Sequence, residues 1–258
     1  MDADASTKEC ERAFEAFNAI LHAYTAALQA VGVLATLPNG QQLVFAQIKL
    51  RSGMRDGFEG ADLEEAADNF IDMARAERER DFETLRRVTL VSLCGALEYL
   101  IKAVIVDQAA YDIGKATKLL IKKNVKLSAS EVMGLTPTEQ WFTVADRLYD
   151  ALSESDPLMY PRAVRLLNEF TFLPFGKDQQ SHIDTILNAD ESRLLNEAFL
   201  VRNCLVHNGG RVSSALSRFS GLKRSDLIEL DRRYGSSLLK TIRKFAIGLN
   251  SVWLAGAL

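Results

Sequence analysis

From Val88 to Val106 the chain carries only two charged side chains, Glu98 and Lys102, and this stretch limits the fold more than any other. It holds no Pro, is too long for an ordinary strand and is apolar on nearly every side, so it predicts a buried helix running through a helical core. Its length also suits a membrane span, but Glu98 and Lys102 would be costly in hydrocarbon, and a buried core helix is the cheaper arrangement. Upstream, the chain from Ala61 is rich in Ala, Glu, Arg and Leu and has neither Pro nor Gly before Gly95. Apolar residues recur at helical spacing through Ala66, Phe70, Met73 and Leu85, so one long helix or two abutting ones should cover about 61–107.

The other helix signals fall around this rod. Ser6 and Glu9 have the spacing of a capping box, which predicts a first helix over about 6–33. Pro38-Asn39-Gly40 then lies between apolar runs, and residues 33–50 read either as a small hairpin or as a loop with a stub of helix. Ser128 with Glu131, and Thr136-Pro137 with Glu139, mark two further starts, the second with Pro at the first helical position. Pro157, Pro161 and Pro174 punctuate shorter helices, and Thr171 to Lys177 reads as a loop. Asp190 is expected to cap a helix over about 190–207, with a core stripe of Leu194, Leu195, Ala198, Phe199, Leu205 and Val206 and a stop at Asn208-Gly209-Gly210. A connection leads to a last helix over roughly 225–254, with Gly235 as a candidate break. Alternating patterns are nearly absent. The class is therefore all-α: one domain over 1–258, a helical bundle with core helices near 6–33, 61–107, 190–207 and 225–254 and a helical insertion near 111–189.

The formal net charge of -3 gives no chain-wide basic field, so any contact with nucleic acid must be local. Residues from Arg202 onward do carry ten Lys or Arg against three Asp or Glu, whereas Met54 to Glu83 carries eleven Asp or Glu against four Arg. Arg211, Lys223 and Arg224 are candidate contacts to a phosphate backbone, and Lys115, Lys118, Lys122, Lys123 and Lys126 form a smaller cluster; both groups read equally well as solvated helix faces. The three cysteines, Cys10, Cys94 and Cys204, are widely spaced and fall in no CxxC or CxxH pattern, which argues against a disulfide framework or a zinc site and fits a reducing compartment. Ser6, Lys8, Glu9 and Glu11 replace the apolar run of a secretory leader, so a cytoplasmic location with no membrane association is the expectation.

The string that could carry chemistry is Arg202-Asn203-Cys204-Leu205-Val206-His207-Asn208-Gly209-Gly210. Asn203 and His207 are four apart and share a helix face, and the Arg202 side chain is long enough to curl round toward them. The three could converge on one phosphate, while Leu205 and Val206 point the other way into the core. Taken alone, the same residues also fit a plainer role, with His207 offsetting the helix dipole and Arg202 in a surface ion pair. Glu98 is the second residue of note, because a carboxylate in so apolar a helix must pair, protonate or reach water. It either pairs with Arg202 and orients it, or shares a solvated stripe with Lys102. His22 and His182 have no partners at metal or catalytic spacing, Cys204 reads as a small core residue, and Trp141 and Trp253 read as packing anchors.

Arg202-Asn203 and His207, followed by Asn208-Gly209-Gly210 late in an all-helical chain, resemble the R-x4-H signature of the HEPN superfamily. Leu93, Glu98, Tyr99 and Leu100 resemble that family's upstream helix, in which an acidic residue sits among apolar ones. The two segments cover about a tenth of the chain. The resemblance implies a metal-independent endoribonuclease without cofactor, acting as a toxin or defence effector. It also implies a homodimer whose two motifs face each other across an RNA-binding cleft, and restraint by an antitoxin or regulatory partner. On that reading His207 is the general acid/base, Arg202 the clamp on phosphate charge and Asn203 a polar positioner, and the products are a 2',3'-cyclic phosphate and a 5'-hydroxyl. Imidazole and guanidinium chemistry can carry such a step without a metal. The alternatives are a non-catalytic helical module of the same fold that binds nucleotides or protein, and an adaptor that docks through its acidic helix.

Overall fold

Helical periodicity and cap residues organise the chain in a computed structural model that describes residues 8–36, 60–155, 158–169 and 183–255, with no strand among those residues. Among these residues are ten α-helices: α1 (Lys8–Leu34), α2 (Gly60–Glu79), α3 (Glu83–Tyr111), α4 (Ile113–Lys122), α5 (Ala129–Val132), α6 (Pro137–Ser155), α7 (Met159–Glu169), α8 (Ala189–His207), α9 (Ser214–Ser220) and α10 (Arg232–Ala255). The only β-type pairing among them is an isolated antiparallel bridge between Arg211 and Leu227. The all-α class expected from periodicity is thus the class observed. Ser6 of the expected first cap, most of the hairpin-or-loop segment (37–50) and the loop at 171–177 lie outside the described residues; residues 33 and 34 are the last turn of α1.

The helices group into two compact units, the first comprising Met1–Ala19, Leu90–Ile228 and Ser237–Leu258, the second Ile20–Thr89 and Glu229–Ser236. In the first unit α3 is the rod that its composition predicts. Leu93, Leu97, Leu100, Ile101, Val104 and Ile105 are fully buried. By length and composition alone α1 and α3 could each cross a membrane, but 56% of the most apolar window of α3 is buried inside the protein, which accounts for its apolarity; for α1 the share is 6%. Around α3, α6 packs against α7, and α8 packs against α7 and α9.

Both cap signals in the insertion form helix starts. Thr136 and Glu139 make a full reciprocal box ahead of Pro137, with Thr136 N donating to Glu139 Oε2 at 2.7 Å and Glu139 N donating to Thr136 Oγ1 at 3.4 Å. Glu131 accepts from Ser128 N at 2.8 Å, but the helix it opens is a single turn.

A carboxylate from the core helix holds the start of α1. Asp107, only 3% exposed, accepts from Cys10 N at 2.9 Å and Glu9 N at 3.3 Å, two of the amides that an α-helix leaves unpaired at its start. Burial, with the charges of Glu9 and Glu11, outweighs those two bonds and pushes Asp107 up from 3.8 to about 7. An acid held above its unfolded value contributes stability that is complete below that value and lost as pH rises through the folded one. Between pH 4 and pH 8 the wild type is therefore expected to lose on the order of 3–4 kcal/mol relative to Asp107→Asn, whose neutral amide cannot ionise. Urea denaturation of both proteins across that range checks this, and parallel stability curves would refute it.

Of the two arrangements open to 61–107, two abutting helices is the one observed, divided at Arg80–Phe82, where Asp81 (φ 52°) and Phe82 (φ 59°) are left-handed. The structure corrects the sequence reading at several places. The stripe of α2 that faces inward is Ala67, Ile71 and Ala74, one position on from the expected Ala66, Phe70 and Met73; Leu34 packs on Ala67 and Ile71, and Met73 is exposed. Asn188, not Asp190, caps α8, because its side chain accepts from Glu191 N while Glu191 returns a bond to Asn188 N. The connection after α8 contains its own helix, α9. The last helix starts at Arg232 instead of near Ser225, where Asp231 Oδ1 accepts from Tyr234 N at 2.7 Å, and it passes through Gly235 unbroken.

Candidate functional site

The site is built on the last two turns of α8, within the first unit. The capping box at Asn188 fixes the start of this helix, and Lys244 of α10 bonds Glu191 in its first turn at 2.6 Å. Leu195, Ala198, Phe199, Val201 and Cys204 anchor its inner face. The core stripe thus ends on Val201 and Cys204. Val206, expected to point inward, is 47% exposed, and Leu205 is only half-buried. Cys204 is buried and free, as are Cys10 and Cys94.

The helix stops where the glycines predict. Asn208 is the cap, Asn208 N and Gly210 N both donate to Cys204 O at 3.0 Å, and Gly209 (φ 58°) and Gly210 (φ 76°) take left-handed conformations that a side chain would strain. The chain then runs back along residues 225–228: Val212 N donates to Asp226 O, Ser225 N to Val212 O and Ile228 N to Gly210 O. This ladder brings the Lys223-Arg224 corner to the end of α8 that carries His207. Arg211 lies there too, with its guanidinium donating to Ser225 O at 3.0 Å. His207, Arg211, Lys223 and Arg224 are all exposed. Arg211 therefore braces the loop as well as facing solvent.

Arg202 lies between the two residues that sequence reasoning assigned to it. One terminal nitrogen donates to Asn203 Oδ1 at 2.9 Å, and the other is 3.9 Å from Glu98 Oε2 of α3, with the two charged side chains 26% and 21% exposed. Of the two fates open to Glu98, pairing with Arg202 is the one observed; Lys102 instead reaches Asp146 of α6. No hydrogen bond or ion pair joins Arg202 to His207. On an α-helix those two positions are turned about 140° apart, whereas Asn203 and His207 differ by only about 40°. Arg202 is thus bonded to Asn203, the residue whose position shares a helix face with His207. Arg202 Nε is buried without a hydrogen-bond partner.

Sequence reasoning missed two members of this cluster. Tyr149 of α6, 6% exposed, donates from its hydroxyl to Glu98 Oε1 at 3.4 Å. Arg162 of α7 donates to that hydroxyl at 2.8 Å and stacks over the ring, 4.1 Å from its centroid. Burial, reinforced by the charge of Glu98, raises the Tyr149 phenol above its ordinary range and keeps it protonated. Burial likewise raises the Cys94 thiol, which lies near both Glu98 and Arg202. No spacing rule links residues 98, 149, 162 and 202. The single available sign was an arginine set beside Ala163, Leu166 and Leu167 on a short amphipathic helix.

No group of three or more His, Cys, Asp or Glu side chains that could hold a metal ion occurs among the described residues. His22 is exposed, Trp141 is half-buried, and His182 and Trp253 lie among residues whose side chains are not described. In the lysine cluster Lys115 pairs with Asp112 and Lys123 with Glu169, so part of its charge is already matched. No family model, no curated protein and no solved structure matches the chain.

Proposed function

We propose that this chain is an RNA-cleaving protein of HEPN type, working as a homodimer with Arg202, Asn203 and His207 at the cutting site and Glu98 orienting Arg202. The observation that carries the reading is the Arg202 guanidinium, bonded to Asn203 on the helix face of an exposed His207 and paired with Glu98. In the reaction His207 takes the proton of a ribose 2'-hydroxyl as its oxygen attacks phosphorus. The bond from phosphorus to the 5'-oxygen breaks, and that oxygen gains a proton as it leaves. Arg202 stabilises the extra negative charge of the phosphorane, where a positioned donor is worth about 10²–10³-fold in rate. Exposed Arg211, Lys223 and Arg224 supply backbone contacts to the RNA on either side of the cut. A toxin or defence role in the cytoplasm, restrained by an antitoxin or another regulatory partner and without membrane association, completes the proposal.

A second reading has an observation in its favour. Both terminal nitrogens of Arg202 already have protein partners, as they would in a non-catalytic module that keeps these residues for structure. One experiment separates the two. Purified protein incubated with RNA in excess chelator should cut, leaving 2',3'-cyclic phosphate and 5'-hydroxyl ends, and light scattering should report a dimer. Arg202→Lys, which keeps the charge but not the planar fork, should lower cutting by about 10²-fold with an unchanged circular dichroism spectrum. Cutting that requires added metal, or that is indifferent to Arg202→Lys, would leave the binding module as the better account.

A further inference from the structure

We infer that Tyr149 and Arg162 are positioning residues that regulate the grip of Glu98 on Arg202, so that the guanidinium is held for RNA yet remains free to leave the carboxylate. This rests on the RNA reading for its ligand, but its geometry stands separately. The hydrogen-bond inventory fixes the direction of the chain. A guanidinium can only donate, so the Tyr149 hydroxyl must accept from Arg162, and its single proton is then committed to Glu98 Oε1. The Glu98 oxygen that faces Arg202 is the other one, Oε2, across a separation of 3.9 Å that is an ion pair but too long for a hydrogen bond. Planar guanidinium and carboxylate groups favour two parallel bonds, and here one accepting direction of the second carboxylate oxygen is taken by Tyr149. The loose pair is thus the outcome of a competition that Tyr149 enters with Arg162 behind it.

A bound phosphate has to draw Arg202 away from Glu98. The Tyr149 hydroxyl makes that exchange easier by taking up part of the carboxylate's accepting capacity. The helices involved make a continuous path, from α7 through α6 and α3 to α8. This gives the helical insertion a means of setting the affinity of the site without touching RNA.

The test reads Arg202 directly and RNA binding separately. Nitrogen-15 spectra of the free protein report exchange of the Arg202 Nε proton, and a fluorescent 2'-O-methyl RNA, which cannot be cut, reports affinity. Tyr149→Phe is expected to tighten the Glu98 to Arg202 pair, slowing that exchange and raising the RNA dissociation constant by roughly three- to tenfold, the size of a charge-assisted contact at a partly exposed pair. Adding Glu98→Gln to Tyr149→Phe removes the charge that holds Arg202 and should reverse the direction of both changes, a reversal that no loss of packing would give. If Arg202 responds in this way but the wild type binds no RNA, the relay stands and the RNA reading fails. If the wild type binds RNA and neither value moves in Tyr149→Phe, the relay is wrong and the RNA reading survives. Should Tyr149→Phe fail to fold, Arg162→Met, which leaves ring and hydroxyl in place, is read by the same two measurements with the same expected directions.

Discussion

His207→Ala is expected to lower RNA cleavage by about 10²–10⁴-fold, the range over which a positioned general acid or base contributes, while leaving the thermal midpoint almost unchanged. The small effect on stability follows from exposure: the ring stands at the open end of α8, outside the core, and its structural worth is at most a favourable interaction with the helix C-terminus of about 0.3–1 kcal/mol. The large effect on rate follows from its role, since the Arg202–Gly210 string contains no second imidazole to take over the proton. Exposure also makes the defect repairable. Imidazole added to the buffer should reach the space left by the ring and restore part of the rate to His207→Ala, but none to Arg202→Lys, where the missing element is a charged fork. If His207→Ala retained full cleavage, or if imidazole restored both variants equally, the ring would not be the proton carrier. If instead the variant lost several degrees of stability, the plainer structural role would gain.

How much of this could be read from the sequence depends on whether a signal is local or assembled. The end of α8 was legible because Asn208-Gly209-Gly210 acts within one turn, supplying the left-handed residues that a helix stop requires. The start of α6 was legible for the same reason, with Thr136, Pro137 and Glu139 contiguous in the chain. The central rod was legible because apolarity on all sides leaves it few places to go. The inward face of α2 was not, since Ala66-Phe70-Met73 and Ala67-Ile71-Ala74 have the same period and only the neighbour they meet, Leu34, decides between them. The place where α2 gives way to α3 was not legible either, because neither Asp81 nor Phe82 is a residue type that announces the positive φ it adopts. At the site, Arg202, Asn203 and His207 fall inside one short string, and Glu98 drew notice as a carboxylate in an apolar helix. Tyr149 reaches Glu98 from 51 positions away in the chain and Arg162 joins through the Tyr149 hydroxyl, 64 positions from Glu98, where no spacing rule applies.

Arg86→Ala is expected to destabilise the second unit by about 2–4 kcal/mol, the cost of leaving two carbonyls without their donor and of a side-chain void, since the Asp81 carboxylate left behind is 55% exposed. Arg86 is 4% exposed and makes three contacts within that unit: Nε donates to Leu230 O at 2.7 Å, a terminal nitrogen donates to Asp81 O, and the other lies 3.4 Å from the Asp81 carboxylate. The amide of Leu230 is held in turn by Glu83 Oε1 at 3.1 Å. Both backbone groups of Leu230 are thus tied to the first turn of α3, next to the Asp231 cap that opens α10. Truncation to alanine would strand two carbonyls and leave a void the size of the side chain. The void has a specific neighbour. A Cβ on Gly235 would lie 2.8 Å from Arg86 Cδ, so a glycine in the first turns of α10 makes room for the arginine. Gly235→Ala alone should therefore cost about 1–3 kcal/mol through overpacking. In the Arg86→Ala background the same methyl meets only the remaining Cβ of residue 86, at an ordinary contact distance of 3.7 Å, and the better helix propensity of alanine should make it stabilising by about 0.5–1 kcal/mol. A double-mutant cycle read by urea denaturation should show that reversal of sign, since residues in direct contact do not add. Equal effects of Gly235→Ala in the two backgrounds would mean that Arg86 does not determine why that position is glycine. Loss of less than about 1 kcal/mol in Arg86→Ala would mean that Leu230 and Asp81 find other partners and that the cluster does not hold the second unit together.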